Sequence, residues 1–329
     1  MSFSLFNPFE TLHFEDVTCF LTGEDLTSPE QKITVFPEWI LDRFSLKNKK
    51  FTMLDQVTGI HYDDLKLPCS DKVKDTFEQL EIQIKEAFEN GYEAVKKIPE
   101  EKLFLWMGKF VYGVLYHDIT LERSRSKQRP NAKSFAISPA LKQRFSKFHL
   151  MLQSLIVPME FKGVKPWSIA IVKVKYSKDV FNYKDEPTNL NFSLGMNGFG
   201  IVACMQDNGS VANKEKNILE KINDKILHPI QFEELAARFL YSNYLLKNRG
   251  KTNIEVENDK VVIESFPADE TPGNPLFGTW GEDMFAQVLA GYWEPWGFDK
   301  KIILNFPASP VSFLENDLTH EFIEPESVE

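Results

Sequence analysis

The chain has 329 residues, of which 43% are hydrophobic and 26% are charged, and its formal net charge is −10 at pH 7. This composition is typical of a globular protein. The acidic balance disfavours nucleic acid as a partner, because a protein that binds a duplex normally presents a basic face to the phosphates. No other partner can be named from the composition.

Three cysteines, Cys19, Cys69 and Cys204, are an odd number and too few for a disulfide framework in a chain of this length, which indicates a reducing compartment. The first residues show no basic segment followed by an apolar run, and no stretch approaches the roughly 18 to 20 uninterrupted apolar residues of a membrane helix. We therefore expect a cytoplasmic protein that makes no contact with a membrane.

The first quarter of the chain is rich in turn residues and short apolar pieces. Residues 15–36 predict small hairpins, and Pro37 to Phe44 predicts a short helix with Pro37 at its start. Two further strands are predicted from Phe51 to Gln56 and from Ile60 to Leu67, joined by a turn. Together these elements predict a small hairpin-rich unit around one short helix.

Helical periodicity dominates the next part of the chain. From Asp71 to Lys97 apolar residues recur every three or four positions, which predicts a long amphipathic helix. The almost wholly apolar stretch from Glu100 to Tyr116 predicts a second, buried helix. Residues 118–135 are charged and turn-prone and predict a loop, and a further helix is expected from Pro139 to about Leu155. We place a domain boundary near residue 135.

The second half changes to strand-like patterns. A strand is predicted over 167–176, and two antiparallel neighbouring strands are predicted over 190–205. An edge hairpin is predicted over 253–266 and a last strand over 301–305. Helices are predicted over 231–248 and 283–292. The predicted fold class is therefore α+β. It has a first domain over residues 1–135 and a second domain of mixed antiparallel sheet and helices over residues 136–329.

Four short segments carry a family resemblance. They are Cys19-Phe20-Leu21-Thr22, Ile33-Thr34-Val35-Phe36-Pro37-Glu38-Trp39, Pro68-Cys69-Ser70-Asp71-Lys72 and Leu80-Glu81. Their order resembles a bacterial branch of the HNH-endonuclease-like, treble-clef family. Members of that branch place an acidic-His-Val-Phe-Pro-x-Trp segment between two Cys-x-x-Cys knuckles and continue into a helix with an apolar-Glu pair. The resemblance implies that the first domain is a treble-clef module with a ββα-like part and long helices.

The chemistry of that family is missing from the matched positions. In an active member the histidine deprotonates the attacking water while a divalent ion stabilises charge on the phosphate. Thr34 stands in place of the histidine, and its hydroxyl does not titrate near neutral pH. Each knuckle keeps only its first cysteine, Cys19 or Cys69, whereas a structural zinc ion needs four ligands. The resemblance therefore implies a catalytically inactive module that holds no cofactor and acts in binding or as a scaffold.

Two interpretations of the remaining cysteines stay open. Cys19 and Cys69 could come together and borrow His61, Asp63 or Asp71 to complete a non-standard metal site. Alternatively, they are buried residues at a place where apolar packing has taken over the role of the metal. We favour the second interpretation, because cysteine is often buried without any ligand.

A cluster of basic residues follows the second long helix. It consists of Arg123, Arg125, Lys127, Arg129 and Lys133. Such a cluster can bind nucleic acid, but a charge run is more often a solvated loop, and we favour the loop. A non-catalytic nucleic-acid binder stays open as an alternative function.

A tryptophan-rich segment near the end of the chain offers another candidate site. Trp280, Glu282, Asp283 and Trp293 could line a ligand pocket, because aromatic faces stack on a ligand and carboxylates accept hydrogen bonds. They could equally form an ordinary helix-to-sheet core, which we favour. The pocket would make the protein an enzyme or a ligand-binding protein with a site in its second half. The glycines of Gly195 to Gly200, by contrast, predict a strand-turn-strand, since no Lys-Ser/Thr pair follows them.

Overall fold

The computed structural model describes residues 5–128, 136–268, 273–305, 309–316 and 318–327. It confirms an α+β fold, with helices and mixed sheets distributed along the chain. The helices are α1 (Glu38–Arg43), α2 (Asp71–Glu89), α3 (Tyr92–Val95), α4 (Glu100–Gln128), α5 (Pro139–Leu152), α6 (Ser210–Lys214), α7 (Lys216–Ile222), α8 (Pro229–Leu245), α9 (Glu282–Trp293) and α10 (Lys300–Ile303). In the described part of the chain, no helix is both long enough and apolar enough to cross a membrane.

The strands are mostly short. They are β1 (Lys32–Thr34), β2 (Lys50–Thr52), β3 (Gly59–His61), β4 (Lys66–Pro68), β5 (Met159–Gly163), β6 (Ser168–Val174), β7 (Asn182–Glu186), β8 (Asn191–Met196), β9 (Phe199–Cys204), β10 (Ile226–Leu227), β11 (Thr252–Val256), β12 (Val261–Ser265), β13 (Leu304–Asn305) and β14 (Ser309–Pro310). A five-stranded sheet has the order β10-β6-β9-β8-β7, and a three-stranded sheet has the order β11-β12-β5. The pairs β1-β4, β2-β3 and β13-β14 form two-stranded sheets.

The chain divides into two compact units. Unit 1 contains Met1–Ala87, Ile98–Glu160 and Ile254–Val262, and unit 2 contains Phe88–Lys97, Phe161–Asn253 and Ile263–Glu329. The sequence placed the division near residue 135, but α5 belongs to unit 1. The Phe148 ring packs edge-on against Phe104 of α4, and Leu152 fills the space that a side chain at Gly108 would occupy.

Unit 1 is built around α4, whose residues from Leu103 to Tyr116 are all buried. The apolar face predicted for α2 is also buried, from Val73 through Phe77 to Ile84. Gly113 lets Val35, which follows β1, approach the α4 backbone, since a β-carbon there would lie 2.4 Å from the Val35 side chain. The two-stranded β1-β4 sheet is thereby held against α4.

Unit 2 is built around the five-stranded sheet and α8. Strands β6, β9, β8 and β7 are antiparallel neighbours, whereas β10 pairs with β6 in parallel. Helix α8 begins at a capping box in which the His228 side chain accepts from the Ile230 amide while Gln231 accepts from the His228 amide, and this stabilises the helix start. Its residue Phe232 packs over Gly200 of β9.

Several predicted elements are confirmed with small shifts of their bounds. The helix opened by Pro139, the two antiparallel strands over 190–205 and the last long helix are present as α5, β8 with β9, and α9. The long amphipathic helix is confirmed only up to Glu89, because the chain breaks at Gly91, whose φ is 76°, and continues as the separate helix α3. The glycine-rich segment is a strand-turn-strand, as predicted. Asn197 and Gly198 form its turn with φ values of 43° and 83°.

The prediction of a loop after residue 118 was wrong up to Gln128, because α4 continues through these residues. They are mostly good helix formers, and their charges are paired: Arg125 contacts both Glu122, three residues earlier, and Asp55. The charged composition of this segment predicted a loop, although the segment continues the helix.

Two predicted strands were also wrong. The stretch from Ile60 to Leu67 is interrupted by a 3₁₀ turn, Tyr62–Asp64, and its last residues pair with β1 instead of β2. Residues 300–303 form α10 because the Asp299 side chain caps it by accepting from the Ile302 amide; only Leu304–Asn305 is a strand.

Candidate functional site

A cleft of about 1250 Å³ opens in unit 1. Helix α2 contributes a row of side chains to it, Lys74, Glu78, Glu81, Ile82 and Lys85, which flank the buried face of that helix. Strand β1 and the middle of α4 form other parts of the lining. Carboxylates outnumber ammonium groups among the lining residues by seven to four, so the cleft offers no surplus of positive charge.

A buried lysine lies behind this lining. Lys109 of α4 is fully buried, and its Nζ donates to the Thr34 carbonyl at 2.8 Å and to the Glu81 carboxylate. The ammonium also lies 5.7 Å from the centre of the Phe77 ring. Glu81 and Thr34 line the cleft. An internal cation therefore neutralises the least exposed part of the cleft's acidic lining.

His117 of α4 also lines the cleft. Its Nε2 lies 3.0 Å from the Lys66 carbonyl, and since a carbonyl only accepts, Nε2 carries the hydrogen. Burial lowers the pKa of His117 to about 4, so the ring is neutral at neutral pH. Beside it, the buried hydroxyl of Tyr116 has no hydrogen-bond partner among the described residues. The pKa of Tyr116 is raised by burial.

The two cysteines of the predicted knuckles are buried in unit 1. Cys19 opens a tight turn in which its carbonyl accepts from the Gly23 amide, and Gly23 has a φ of 73°. The Phe20 amide donates to the Pro68 carbonyl at 2.7 Å, which ties this turn to the strand before Cys69. Burial, followed by the neighbouring Cys19, raises the pKa of Cys69 to about 12.

Aromatic rings surround the Cys19 turn. Phe20 stacks on Phe77 with centroids 6.2 Å apart and contacts Tyr112 at 5.5 Å. The residues predicted to complete a metal site with the cysteines do not join them in a donor group. In the part of the chain that the structure describes, the group of three donor side chains is His61, Asp63 and Asp64, and it includes neither cysteine nor Asp71.

The described arginines of the basic cluster make hydrogen bonds and ion pairs within unit 1. Arg125 donates to Asp55, Thr58 and Glu122, and the two carboxylates, Asp55 first, raise its pKa. Arg123 donates to the Phe14 carbonyl and pairs with Glu15 at 3.5 Å. Lys127 is exposed, whereas Arg129 and Lys133 lie outside the described residues. The two described arginines therefore face carboxylates of their own unit.

The tryptophan-rich segment divides between core and surface. Trp293 is fully buried, its Nε1 donates to the Ile230 carbonyl at 3.1 Å, and it packs against Phe298 and Phe313. The core encloses the whole Trp293 side chain, which contradicts the pocket alternative for this residue and agrees with the core alternative that the sequence favoured.

The other three residues of that prediction lie nearer the surface. The Trp280 ring contacts Tyr241 with centroids 4.6 Å apart, and its Nε1 donates to the exposed Glu282 at 3.3 Å. Asp283 pairs with Lys300 at 2.7 Å. For Trp280, Glu282 and Asp283 the pocket stays a prediction.

Sequence reasoning missed the role of Lys109. The available signal was its position as a lone charge within the apolar run from Leu103 to Tyr116, where an unpaired ammonium would be costly. Its partners could not be read from the spacing, because Glu81 lies on another helix and Thr34 contributes a backbone atom.

Comparisons with known proteins add nothing to this geometry: no family model, no curated protein and no solved structure matches the chain.

Proposed function

We propose that unit 1 is a non-cleaving, HNH-like module that binds a partner in its cleft. The observation that carries the proposal is the buried Lys109 ammonium between Glu81 and the Thr34 carbonyl. Unit 1 would keep the treble-clef arrangement that the sequence resemblance implies and would use it for binding. The proposal rests on three properties of the described residues: the cation already present, the lack of a suitable base and the form of the cleft.

The divalent ion of the HNH family does not fit the residues at the corresponding place. The oxygens of Glu81 and Thr34 that would face an ion already bind the ammonium of Lys109, whose side chain is fully buried. A second cation there would be repelled by the first across a poorly solvated space. We therefore assign no chemistry to an ion at this place.

A general base is lacking among the cleft residues considered for that role. Thr34 has no titration near neutral pH. His117 is the imidazole that lines the cleft, but with a pKa of about 4 it binds a proton too weakly to serve well at neutral pH. Its Nε2 is also held by the Lys66 carbonyl. These properties support binding over catalysis.

The form of the cleft favours a polypeptide partner. Its volume of about 1250 Å³ exceeds the roughly 300–1,000 Å³ of pockets for small molecules. Its lining mixes charges of both signs with apolar surface, including Ile82, which is 59% exposed. A polyphosphate would meet more carboxylates than ammonium groups, whereas a protein segment can match both signs.

The proposal is tested with purified full-length protein and three substrates: supercoiled plasmid, single-stranded DNA and RNA. We expect no cleavage with Mg²⁺ or Mn²⁺ over hours, because neither Thr34 nor His117 can supply the base that the family's histidine provides and the inner oxygens of the cleft hold an ammonium. The variant Asp42→Asn, which changes an exposed ion pair with Lys47, controls for contaminating nuclease. Metal-dependent cleavage that persists in Asp42→Asn and disappears in Thr34→Ala or His117→Gln would overturn the proposal.

Two other functions receive less support. A nucleic-acid binder would need a free basic face, but Arg123 and Arg125 pair with Glu15, Asp55 and Glu122. A ligand site at the tryptophan-rich segment loses Trp293 to the core. Salt-sensitive binding of DNA or RNA by the purified protein would favour the first of these functions.

A further inference from the structure

We propose that His61, Asp63 and Asp64 form a binding site for a first-row divalent cation of the Zn²⁺ or Mn²⁺ type. The site includes neither a contact residue of Lys109 nor a cysteine, and it does not depend on whether unit 1 cleaves nucleic acid. It uses two residues that the sequence suggested for a cysteine site, in a combination that excludes both thiols.

The three side chains converge. His61 is the last residue of β3, and Asp63 and Asp64 belong to the 3₁₀ turn that follows it. Each offers one ligand atom, and these atoms all lie within 4.8 Å of one another; His61 Nδ1 and Asp64 Oδ2 are 3.7 Å apart. Bonds of about 2.0–2.2 Å to one ion place neighbouring donors roughly 3–4 Å apart. The separation of His61 Nδ1 and Asp64 Oδ2 already lies in that range.

The backbone holds this arrangement in place. His61 pairs with Lys50 in the antiparallel β2-β3 ladder, and the Tyr62 amide donates to the Lys49 carbonyl at 3.1 Å. The strand end and the turn are thus fixed by hydrogen bonds on either side of the first ligand. A site on such a support loses little conformational freedom when an ion binds.

One carboxylate oxygen of this group lacks a partner. Asp63 Oδ1 is buried from solvent and has no hydrogen-bond partner among the described residues. A buried carboxylate oxygen without a partner carries a desolvation cost that no protein contact offsets. The contact between His61 and Asp64 does not involve this atom. A cation bound by all three side chains would satisfy it.

The ligand set limits the kind of ion. Imidazole suits Zn²⁺ and related first-row ions, whereas Ca²⁺ and Mg²⁺ sites are built from oxygen. The side chains of His61 and Asp64 are 45% and 66% exposed, so an ion can enter from solvent. Three protein ligands leave room for water or for a group of a bound molecule. Asp64 also lines the cleft, which places the ion at its rim.

The test uses full-length protein freed of metal with a chelator. Mn²⁺ binding is followed by electron paramagnetic resonance and Zn²⁺ binding by calorimetry, in wild type and in His61→Gln, Asp63→Asn and Asp42→Asn. We expect one equivalent of ion in the wild type and in Asp42→Asn, an exposed aspartate of the same unit. His61→Gln and Asp63→Asn should bind at least about tenfold more weakly. Circular dichroism checks that each variant is folded.

Two results would overturn the site. One is the lack of stoichiometric binding of either ion to the wild type. The other is binding that His61→Gln and Asp63→Asn leave unchanged, which would assign the ion to other residues. The plasmid assay separates this test from the test of the proposed function. Cleavage by the wild type would overturn only the proposal of a non-cleaving module. Loss of that cleavage in His61→Gln would then support this metal site.

Discussion

Lys109 is a fully buried ammonium group whose charge is matched by one carboxylate, that of Glu81. Transferring both charges from water is costly, and the mutual attraction of a buried pair repays this cost only in good geometry. Removing one partner of such a pair destabilises the fold more than replacing both partners with apolar groups, because the remaining charge stays buried alone. The pair therefore makes unit 1 sensitive to single changes at either residue.

We expect Lys109→Met to lower the free energy of unfolding of unit 1 by about 3–5 kcal/mol. The double variant Lys109→Met/Glu81→Gln should recover part of that loss, because it leaves no unpaired charge. Lys102→Met on the same helix is the control, since Lys102 is exposed and donates to Gln83. Urea unfolding followed by circular dichroism measures all three. Equal stability of the Lys109 and Lys102 variants would contradict this account.

Because of His149 in α5, we expect the free energy of unfolding to depend on pH. Burial lowers its pKa from 6.5 to about 4, while its Nε2 donates to the Phe20 carbonyl at 2.7 Å. Between these two pH values the unfolded chain binds a proton that the folded chain does not. Stability is therefore complete above pH 6.5 and is lost as the pH falls towards 4, by about 3 kcal/mol for this group.

The measurement is urea unfolding at steps from pH 4 to pH 7.5. In His149→Gln the decline over this range should be smaller by about that amount, while His117, whose pKa is also lowered, keeps part of it in both proteins. The variant His320→Gln, at an exposed position, should follow the wild type. Parallel curves for wild type and His149→Gln would argue against a neutral buried imidazole.

Two glycines of unit 2 differ in the space that is available to an added side chain. A β-carbon at Gly200 in β9 would lie 2.3 Å from the Phe232 ring, whereas one at Gly291 in α9 would meet nothing within 4 Å. Gly200→Ala should therefore destabilise unit 2 by about 1–3 kcal/mol through overpacking. Gly291→Ala should stabilise it by about 0.5–1 kcal/mol, because alanine favours the helix.

Thermal unfolding of the two alanine variants, compared with wild type, gives the two signs in one experiment. A stabilising Gly200→Ala would mean that α8 can move away from β9 at no cost. A destabilising Gly291→Ala would mean that this helix position is not open.

Elements with strong periodicity were predictable, and those held by distant contacts were not. Helix α2 follows from its apolar spacing, and β8 with β9 follows from glycine turn chemistry. The last turns of α4 depend on Arg125 reaching Asp55, 70 residues away. Strand β10 has two residues and exists only through its parallel pairing with β6.

The candidate site was predictable only in part. Thr34, Glu81, Cys19 and Cys69 were identified from their order along the chain, and they do lie in one unit. The ammonium of Lys109 was missed, because its contacts are to residues 28 and 75 positions away. Spacing in a sequence reveals a helical face but cannot reveal which residue of another element meets it.

At the scale of the whole molecule, unit 1 needs more of the chain than the sequence suggested. Beyond the predicted boundary, His149 of α5 contacts the Phe20 carbonyl, and Gln153, in the 3₁₀ turn that follows α5, contacts the backbone of Phe6. We expect a fragment of residues 1–135 to show no cooperative thermal transition by circular dichroism. A fragment of residues 1–160 should show one, at a lower temperature than the full chain, because it lacks Ile254–Val262.

The control is the full chain measured by the same method, with the near-ultraviolet signal reporting packed aromatic residues. If residues 1–135 melt as cooperatively as residues 1–160, α5 is not needed for the core of unit 1. Identical transitions for residues 1–160 and the full chain would show that Ile254–Val262 adds no stability.

The discontinuity of unit 1 also has a consequence for the growing chain during translation. Its residues up to Glu160 are followed by 93 residues of other sequence before Ile254–Val262 is made. At roughly 5–20 residues per second, synthesis of that interval takes about 5–20 seconds. For that time the nascent chain carries an incomplete unit, which lacks the buried side chains of Val261 and Val262. The order of synthesis thus favours completion of unit 1 late, after much of the other unit has emerged.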